Sequence, residues 1–165
     1  MPPTALAPHR VDVAYIRKAV ALANQGAQGK HGGPFGAVVV RNHKIIGKGY
    51  NQVISTYDPT AHAEVVAIRE ATKHLGNFHL TGCVLYTTCE PCPMCLGAIY
   101  WARIDRVVYA LTRADAAAMG FSDEEIYDAL SKPLSKRRIE MTQVGRQTAL
   151  HLIESWQKTA DKQLY

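Results

Sequence analysis

The chain has 165 residues, 47% of them apolar and 20% charged, a balance that suits a globular domain and excludes a disordered or fibrous one. A domain of this length buries roughly 70% of its unfolded surface, so it needs no disulfide framework to hold a core. The net charge of +5 is too mild to argue for a nucleic-acid partner. No stretch approaches the ~18 uninterrupted apolar residues that cross a membrane.

The opening "MPPTALAPHR" is rich in proline and lacks an apolar run of leader length, so residues 1–10 read as a flexible N-terminal extension and the chain as cytoplasmic. Residues 11–165 read as a single domain. In 11–25, Val13, Ile16, Val20 and Ala23 recur as a helical stripe. The glycine-rich "GKHGGPFG" follows as a loop. "AVVV" and "KIIGKGYNQVI" then read as two strands joined in a hairpin at "RNHK". "DPTAHAEVVAIREATKHLG" is a helix opened by Asp58 and Pro59 and stopped by Gly76.

"CVLYTT" reads as a buried strand, "PMCLGAIYWAR" as a helix with Pro93 in its first turn, and "RVVYAL" as a further strand. Ser122 and Glu125 fit a capping box for a short helix over 122–130. "IEMTQV" is expected to be a last strand and 147–160 a closing helix. This order predicts a three-layer α/β/α domain with one mixed sheet, the first strand pair antiparallel and later ones parallel. The basic run "SKPLSKRR" (Lys132, Lys136, Arg137, Arg138) holds no aromatic residue on which a base could stack and reads as a solvated loop.

The chemistry concentrates in "TTCEPCPMC", where Cys89, Cys92 and Cys95 are spaced by three. Spacing alone leaves three uses open. With Cys83 the run could ligate an iron–sulfur cluster. Four protein ligands could close a structural zinc site, and either of these would make the chain a non-catalytic module. In the third, Cys92 and Cys95 join one histidine and leave a coordination position open to water.

"HAE" favours the third. His62 and Glu64 fall at one predicted helix start, Cys92 and Cys95 at another, and the intervening strand lets both helix tips converge. Helix N-termini favour thiolates and oxyanions. A water polarised at an open zinc position becomes a hydroxide near neutral pH, and a neighbouring carboxylate can carry its proton to a leaving amine. A spacing of two between His62 and Glu64 is not a same-face helical spacing, so Glu64 reaches the site only if the first turn is irregular. Cys83 and Cys89 are then small buried fillers.

H-x-E with P-C-x-x-C is the signature of zinc nucleobase deaminases, and here it stands as "HAE" and "PCPMC". The sequence resembles the cytidine deaminase superfamily. "GGPFGAVVV", "DPTAHAEVVAIREA", "LYTTCEPCPMCLGAIYWAR", "GFSDEEIY" and the final "QLY" are similar to its bacterial guanine deaminases. The resemblance implies hydrolysis of guanine to xanthine and ammonia, with one zinc ion held by His62, Cys92 and Cys95 and Glu64 as proton shuttle. It gives the backbone N–H of Ala63 to the substrate oxygen, Asn51 to the purine ring and Asp123 to the guanine edge. It also implies that Phe35 and Trp101 line the pocket and that Tyr165 closes a site, often a neighbouring subunit's.

Guanine presents N1–H and an amine, both donors, which suits the acceptor Asp123; Asn51 can both donate and accept, as N7 and N9–H require. Guanosine deaminases and tRNA wobble-adenosine deaminases share much of the pattern, so the choice of guanine rests on the flanks, chiefly "AIYWAR" and the segment C-terminal to it. The resemblance further implies a homodimer acting on a small purine, with neither membrane nor nucleic acid as partner.

Overall fold

A computed structural model describes residues 10–165; all but Arg10 of the expected N-terminal extension lies outside the described residues. One compact unit ends at Asp123 and a second spans Glu124–Tyr165. The first opens with α1 (Arg10–Gln28), then strands β1 (Gly36–Arg41) and β2 (Lys44–Tyr50), the short α2 (Val53–Thr56) and α3 (Ala63–Leu75). It continues with β3 (Cys83–Cys89), α4 (Pro93–Trp101), β4 (Arg106–Leu111) and α5 (Arg113–Ala118). The second unit holds α6 (Glu124–Ser131), a 3-10 turn at Leu134–Lys136 and α7 (Arg146–Lys158).

The sheet runs β2-β1-β3-β4, antiparallel except for the parallel β3–β4 pair, which α4 connects. The hairpin turns at Asn42 and His43, both with positive φ (49° and 62°), the turn whose twist matches the flanking strands. Alternation along β1 and β3 divides the core between the two faces. Ala37, Val39, Cys83 and Leu85 pack with Ala63, Ala67, Ala71 and Ile99 of α3 and α4. Val38, Val40 and Tyr86 face Tyr15 and Ile16 of α1. The layers α1, sheet and α3 with α4 are those the sequence predicts.

Four local expectations change. "IEMTQV" forms no strand: Ile139, Met141 and Val144 are exposed, and none of these residues pairs with a strand among the described residues. Apolar side chains satisfy β propensity, but a strand exists only against a partner. The second strand stops at Tyr50, and the turn of α2 takes Val53 and Ile54 instead. The third helix begins at Ala63 rather than at Asp58, because residues 58–61 fold as a turn on the Asp58 carboxylate, which accepts from Thr60 N–H at 2.8 Å.

Half of the predicted stripe of α1 is also displaced: Ala23 is buried and Ile16 packs against the core, but the two valines are not. Val13 and Val20 are exposed, while Asp12, Ala19, Ala23 and Gly26 are buried. The reason is close approach: a Cβ on Gly36 would lie 2.1 Å from the carbonyl oxygen of Ala19, so small residues take the positions of α1 nearest that glycine. On the other face, a Cβ on Gly49 would lie 2.2 Å from the carbonyl oxygen of Ala63. Gly49 therefore sets how near the first turn of α3 lies to β2. Gly49→Ala is expected to cost about 1–3 kcal/mol in chemical unfolding and to weaken metal retention, since α3 must shift to admit the methyl group.

Asp12 anchors α1 to the sheet. Its carboxylate accepts from the Tyr86 hydroxyl at 2.7 Å and from the Arg106 guanidinium at 2.7 Å. Burial first, and then the Asp12 carboxylate, push the Tyr86 phenol up from 10.0 to about 12. Because the folded value exceeds the unfolded one, the contribution to stability is complete below about pH 10 and is lost as pH rises through about 12. Stability measured by urea unfolding across that window should fall in the native chain, and Tyr86→Phe should flatten the fall.

Candidate functional site

Two helices start at one place. His62 precedes α3 with extended backbone (φ −68°, ψ 154°), and Cys92 precedes α4 in the same way (φ −65°, ψ 168°). Each is the capping residue of its helix, where the chain is still extended and the side chain points beyond the helix end. The turn on Asp58 delivers His62. The Thr60 hydroxyl and N–H hold the Asp58 carboxyl below its ordinary range, and Arg69 from α3 pairs with it. Pro93 fixes the first residue of α4. The loop between β3 and Cys92 is strapped to β4: Glu90 N–H donates to Leu111 O at 2.8 Å, and Arg113 N–H donates to the Glu90 carboxylate at 3.1 Å.

The His62 Nδ1 atom lies 3.6 Å from Cys92 Sγ and 3.6 Å from Cys95 Sγ. All three potential ligand atoms fall within 4.8 Å of one another, and no other such group occurs among the described residues. A tetrahedral zinc ion, about 2.3 Å from sulfur and about 2.0–2.1 Å from nitrogen, would hold the nitrogen about 3.5–3.6 Å from each sulfur. One nitrogen and two sulfur donors are also a set that zinc favours. The residues fit the ion.

The thiols divide in the same sense. The neighbouring Cys95 thiol first, and then His62, hold Cys92 down at about 4, while Cys95, the hydrogen-bond partner of that thiolate, is pushed up and keeps its proton. The Cys92 side chain in turn raises His62. Metal binding displaces the remaining protons, so affinity for zinc rises with pH. Cys83 and Cys89 are buried and raised by burial, Cys89 to about 11, and Cys89 donates to Thr112 O at 3.4 Å. Neither joins the cluster, as expected of packing residues.

Glu64 is only 6% exposed, an unusual place for a carboxylate, and burial is the main cause that raises it. One oxygen accepts from the Thr87 hydroxyl at 3.0 Å, and the other meets Cys95 Sγ at 3.5 Å. The extended conformation of His62 resolves the awkward spacing of two: His62 stands outside the helix and Glu64 inside its first turn, so both meet the same corner. Thr87 is a partner that the sequence reading missed. Its signal is faint, a hydroxyl in the otherwise apolar row Cys83, Leu85, Cys89 of a buried strand.

The remaining predicted residues fall into two groups. Ala63 is buried at the first position of α3, where its N–H has no intrahelical acceptor. Asn51 is buried just past β2; its N–H donates to Phe35 O at 3.0 Å, and its Oδ1 accepts from Val53 N–H at 3.2 Å. Phe35 meets Phe121 edge to face, with ring centroids 5.1 Å apart, so the "GGPFG" loop is joined to the segment carrying Asp123. Asp123 is largely shielded and pairs with Arg113 at 3.6 Å. Phe121 and Arg113 were not singled out from the sequence. Trp101 closes α4 and is 65% exposed, so it is no core residue of this chain. Tyr165 ends the second unit with an exposed side chain.

The cytidine and deoxycytidylate deaminase zinc-binding region matches residues 9–111 of this chain. The chain belongs to that deaminase family. It is 50% identical over 151 residues to a guanine deaminase of Bacillus subtilis (strain 168), covering 92% of this chain and 97% of the relative. The crystal structure of guanine deaminase from Bacillus subtilis superposes with a TM-score of 0.90 at 49% identity, covering 93% of this chain and 98% of that one. A tRNA-specific adenosine deaminase of Aquifex aeolicus (strain VF5) is 35% identical over 126 residues, 76% of this chain and 80% of the relative. Zinc is thus the cofactor of this fold, one ion per chain.

Replacing His62, Cys92 or Cys95 by alanine is expected to leave desalted protein with little or no zinc. Cys89→Ala should keep one equivalent. Elemental analysis of the four variants checks the assignment.

Proposed function

We propose that this chain removes the exocyclic amine of guanine by hydrolysis, giving xanthine and ammonia. The observation that carries the reading is a buried carboxylate set against a His-Cys-Cys cluster, in a chain matched along 92% of its length by a guanine deaminase. The match to the tRNA-specific enzyme is shorter and weaker. The family's shared region ends at residue 111, whereas Asp123, the residue suited to guanine's two donors, lies beyond it.

His62, Cys92 and Cys95 hold the zinc, which when bound supplies a Lewis acid able to make water nucleophilic near neutral pH. Glu64 takes a proton from the attacking water and delivers it to the departing amine. Burial suits it to that exchange, because a carboxyl raised from its ordinary value can hold a proton as well as release one. The first N–H of α3, on Ala63, faces the substrate oxygen. Asn51 binds the purine ring, and Phe35, with Phe121 behind it, supports the ring's flat face. Asp123 accepts from N1–H and the amine, and Arg113 keeps that carboxylate in place. Water adds at the ring carbon that bears the amine, the C–N bond breaks, and ammonia leaves.

We also propose that the chain acts as a cytoplasmic homodimer. Tyr100 and Trp101, 76% and 65% exposed on α4, offer an apolar face for the partner. Tyr165 closes a purine site, in its own subunit or the partner's, and Trp101 lines that site. No described helix is long and apolar enough to cross a membrane.

Ammonia release should be measured from guanine, guanosine, adenine, cytosine, cytidine and a tRNA anticodon stem-loop. Release from guanine alone is expected. Glu64→Gln should retain its zinc and lose about 1,000-fold or more in kcat, in the upper part of what general acid–base catalysis contributes, because one group serves both transfers. Release only from guanosine or the stem-loop would replace the substrate assignment, and an active Glu64→Gln would remove Glu64 from the mechanism.

A further inference from the structure

We infer that Thr87 is a positioning residue for the reaction: its hydroxyl fixes one oxygen of Glu64 and leaves the other as the oxygen that carries the proton. The inference rests on Glu64 being the proton carrier and goes beyond it by assigning the two oxygens different work.

The placement of Thr87 is hard to explain by packing. On the face of β3 that meets α3 and α4, the row is Cys83, Leu85, Thr87, Cys89, and Thr87 is only 1% exposed. Valine has the same shape and a stronger claim on a buried strand, with no hydroxyl to desolvate. The neighbouring Thr88 shows what a merely structural threonine does here. Its oxygen accepts from the backbone N–H of Gly36 at 3.1 Å and closes the edge of the β1–β3 ladder. Thr87 instead donates to Glu64 Oε1 at 3.0 Å across 23 residues of chain.

A hydroxyl bonded to a carboxylate is a charge-assisted contact, stronger and more directional than a neutral one. It is also anchored to a strand held by neighbours on both sides, whereas Glu64 sits on a helix end. The second oxygen, Oε2, faces Cys95 Sγ at 3.5 Å, towards the ligand cluster. A sulfur that binds metal has no proton to give. Thr87 is then the one side chain among the described residues that both reaches Glu64 and can donate to it. Pinning Oε1 selects the rotamer that aims Oε2 at the attacking water and then at the departing amine. Without it the carboxylate can rotate, and a small displacement of a reacting group costs heavily in rate.

The test compares Thr87→Val, Thr87→Ser and Glu64→Gln with the native chain, all loaded with zinc, by steady-state kinetics on guanine, zinc content and thermal unfolding. Thr87→Val is expected to keep one zinc and a KM within about 2-fold while kcat falls about 10- to 100-fold, the pattern of an interaction that matters in the transition state. Thr87→Ser, which restores the hydroxyl and loses only a methyl group, should recover kcat to within about 3-fold, on the same scale. Should the valine variant not fold, Thr87→Ala replaces it in the same comparison. Unchanged kcat in Thr87→Val overturns the inference, as does a serine variant no better than valine, or a loss of zinc that accounts for the lost rate. The native chain and Glu64→Gln judge the underlying reading separately: an inactive native chain, or an active Glu64→Gln, defeats the role of Glu64 itself.

Discussion

The structure depends on two helices that begin against each other. A ring nitrogen at the cap of α3 and a sulfur at the cap of α4 lie 3.6 Å apart, and both caps are extended residues whose side chains project past the helix end. Bringing two positive helix ends together is electrostatically unfavourable unless negative charge lies between them. The Cys92 thiolate supplies some of that charge, and the deprotonated Cys95 supplies more when a dication binds. The dipoles thus favour the ligand state that zinc needs. The rest of the unit serves this meeting: β3 carries the chain between the helices, α4 returns it to the parallel strand β4, and Gly49 lets the first turn of α3 settle on the sheet.

A second consequence concerns Glu64. Because α3 approaches the sheet so closely, the first residues of the helix are buried, and a carboxylate there loses its water. Nearby polar groups replace that water: the Thr87 hydroxyl on one oxygen and the ligand corner on the other. The arrangement turns an energetic cost into chemistry, since a desolvated carboxylate is a better proton acceptor than an exposed one. Two other shielded polar side chains of this unit are similarly committed. The Asn51 amide oxygen is held by Val53 N–H, and the Asp123 carboxylate is held by Arg113.

Much of this was legible in the sequence because it rests on local chemistry. "HAE" and "PCPMC" name the residues that gather into a group able to hold a metal ion, Gly76 marks the end of α3 in a left-handed conformation, and Asn42–His43 form the tight hairpin turn. What stayed hidden depends on partners distant in sequence. Periodicity ranks apolar residues, so it chose Val13 and Val20 beside Ala23 for the buried face of α1, whereas the constraint at Gly36 adds Ala19 to Ala23 and leaves the two valines outside. "IEMTQV" has strand-like composition but no ladder among the described residues. Thr87 looks like any threonine in a strand until Glu64 is placed opposite it, and "DPTAH" looks like a helix start until Asp58 closes its own turn.

This chain uses zinc and water to replace the amine of guanine. Turnover of guanine in oxygen-18 water, with zinc-loaded protein beside protein stripped by a chelator, tests it most directly. One heavy oxygen in each xanthine and one ammonia per guanine are expected from the loaded protein, almost none from the stripped protein, and recovery on adding one equivalent of zinc. Full turnover without metal, or xanthine that carries no heavy oxygen, would contradict it.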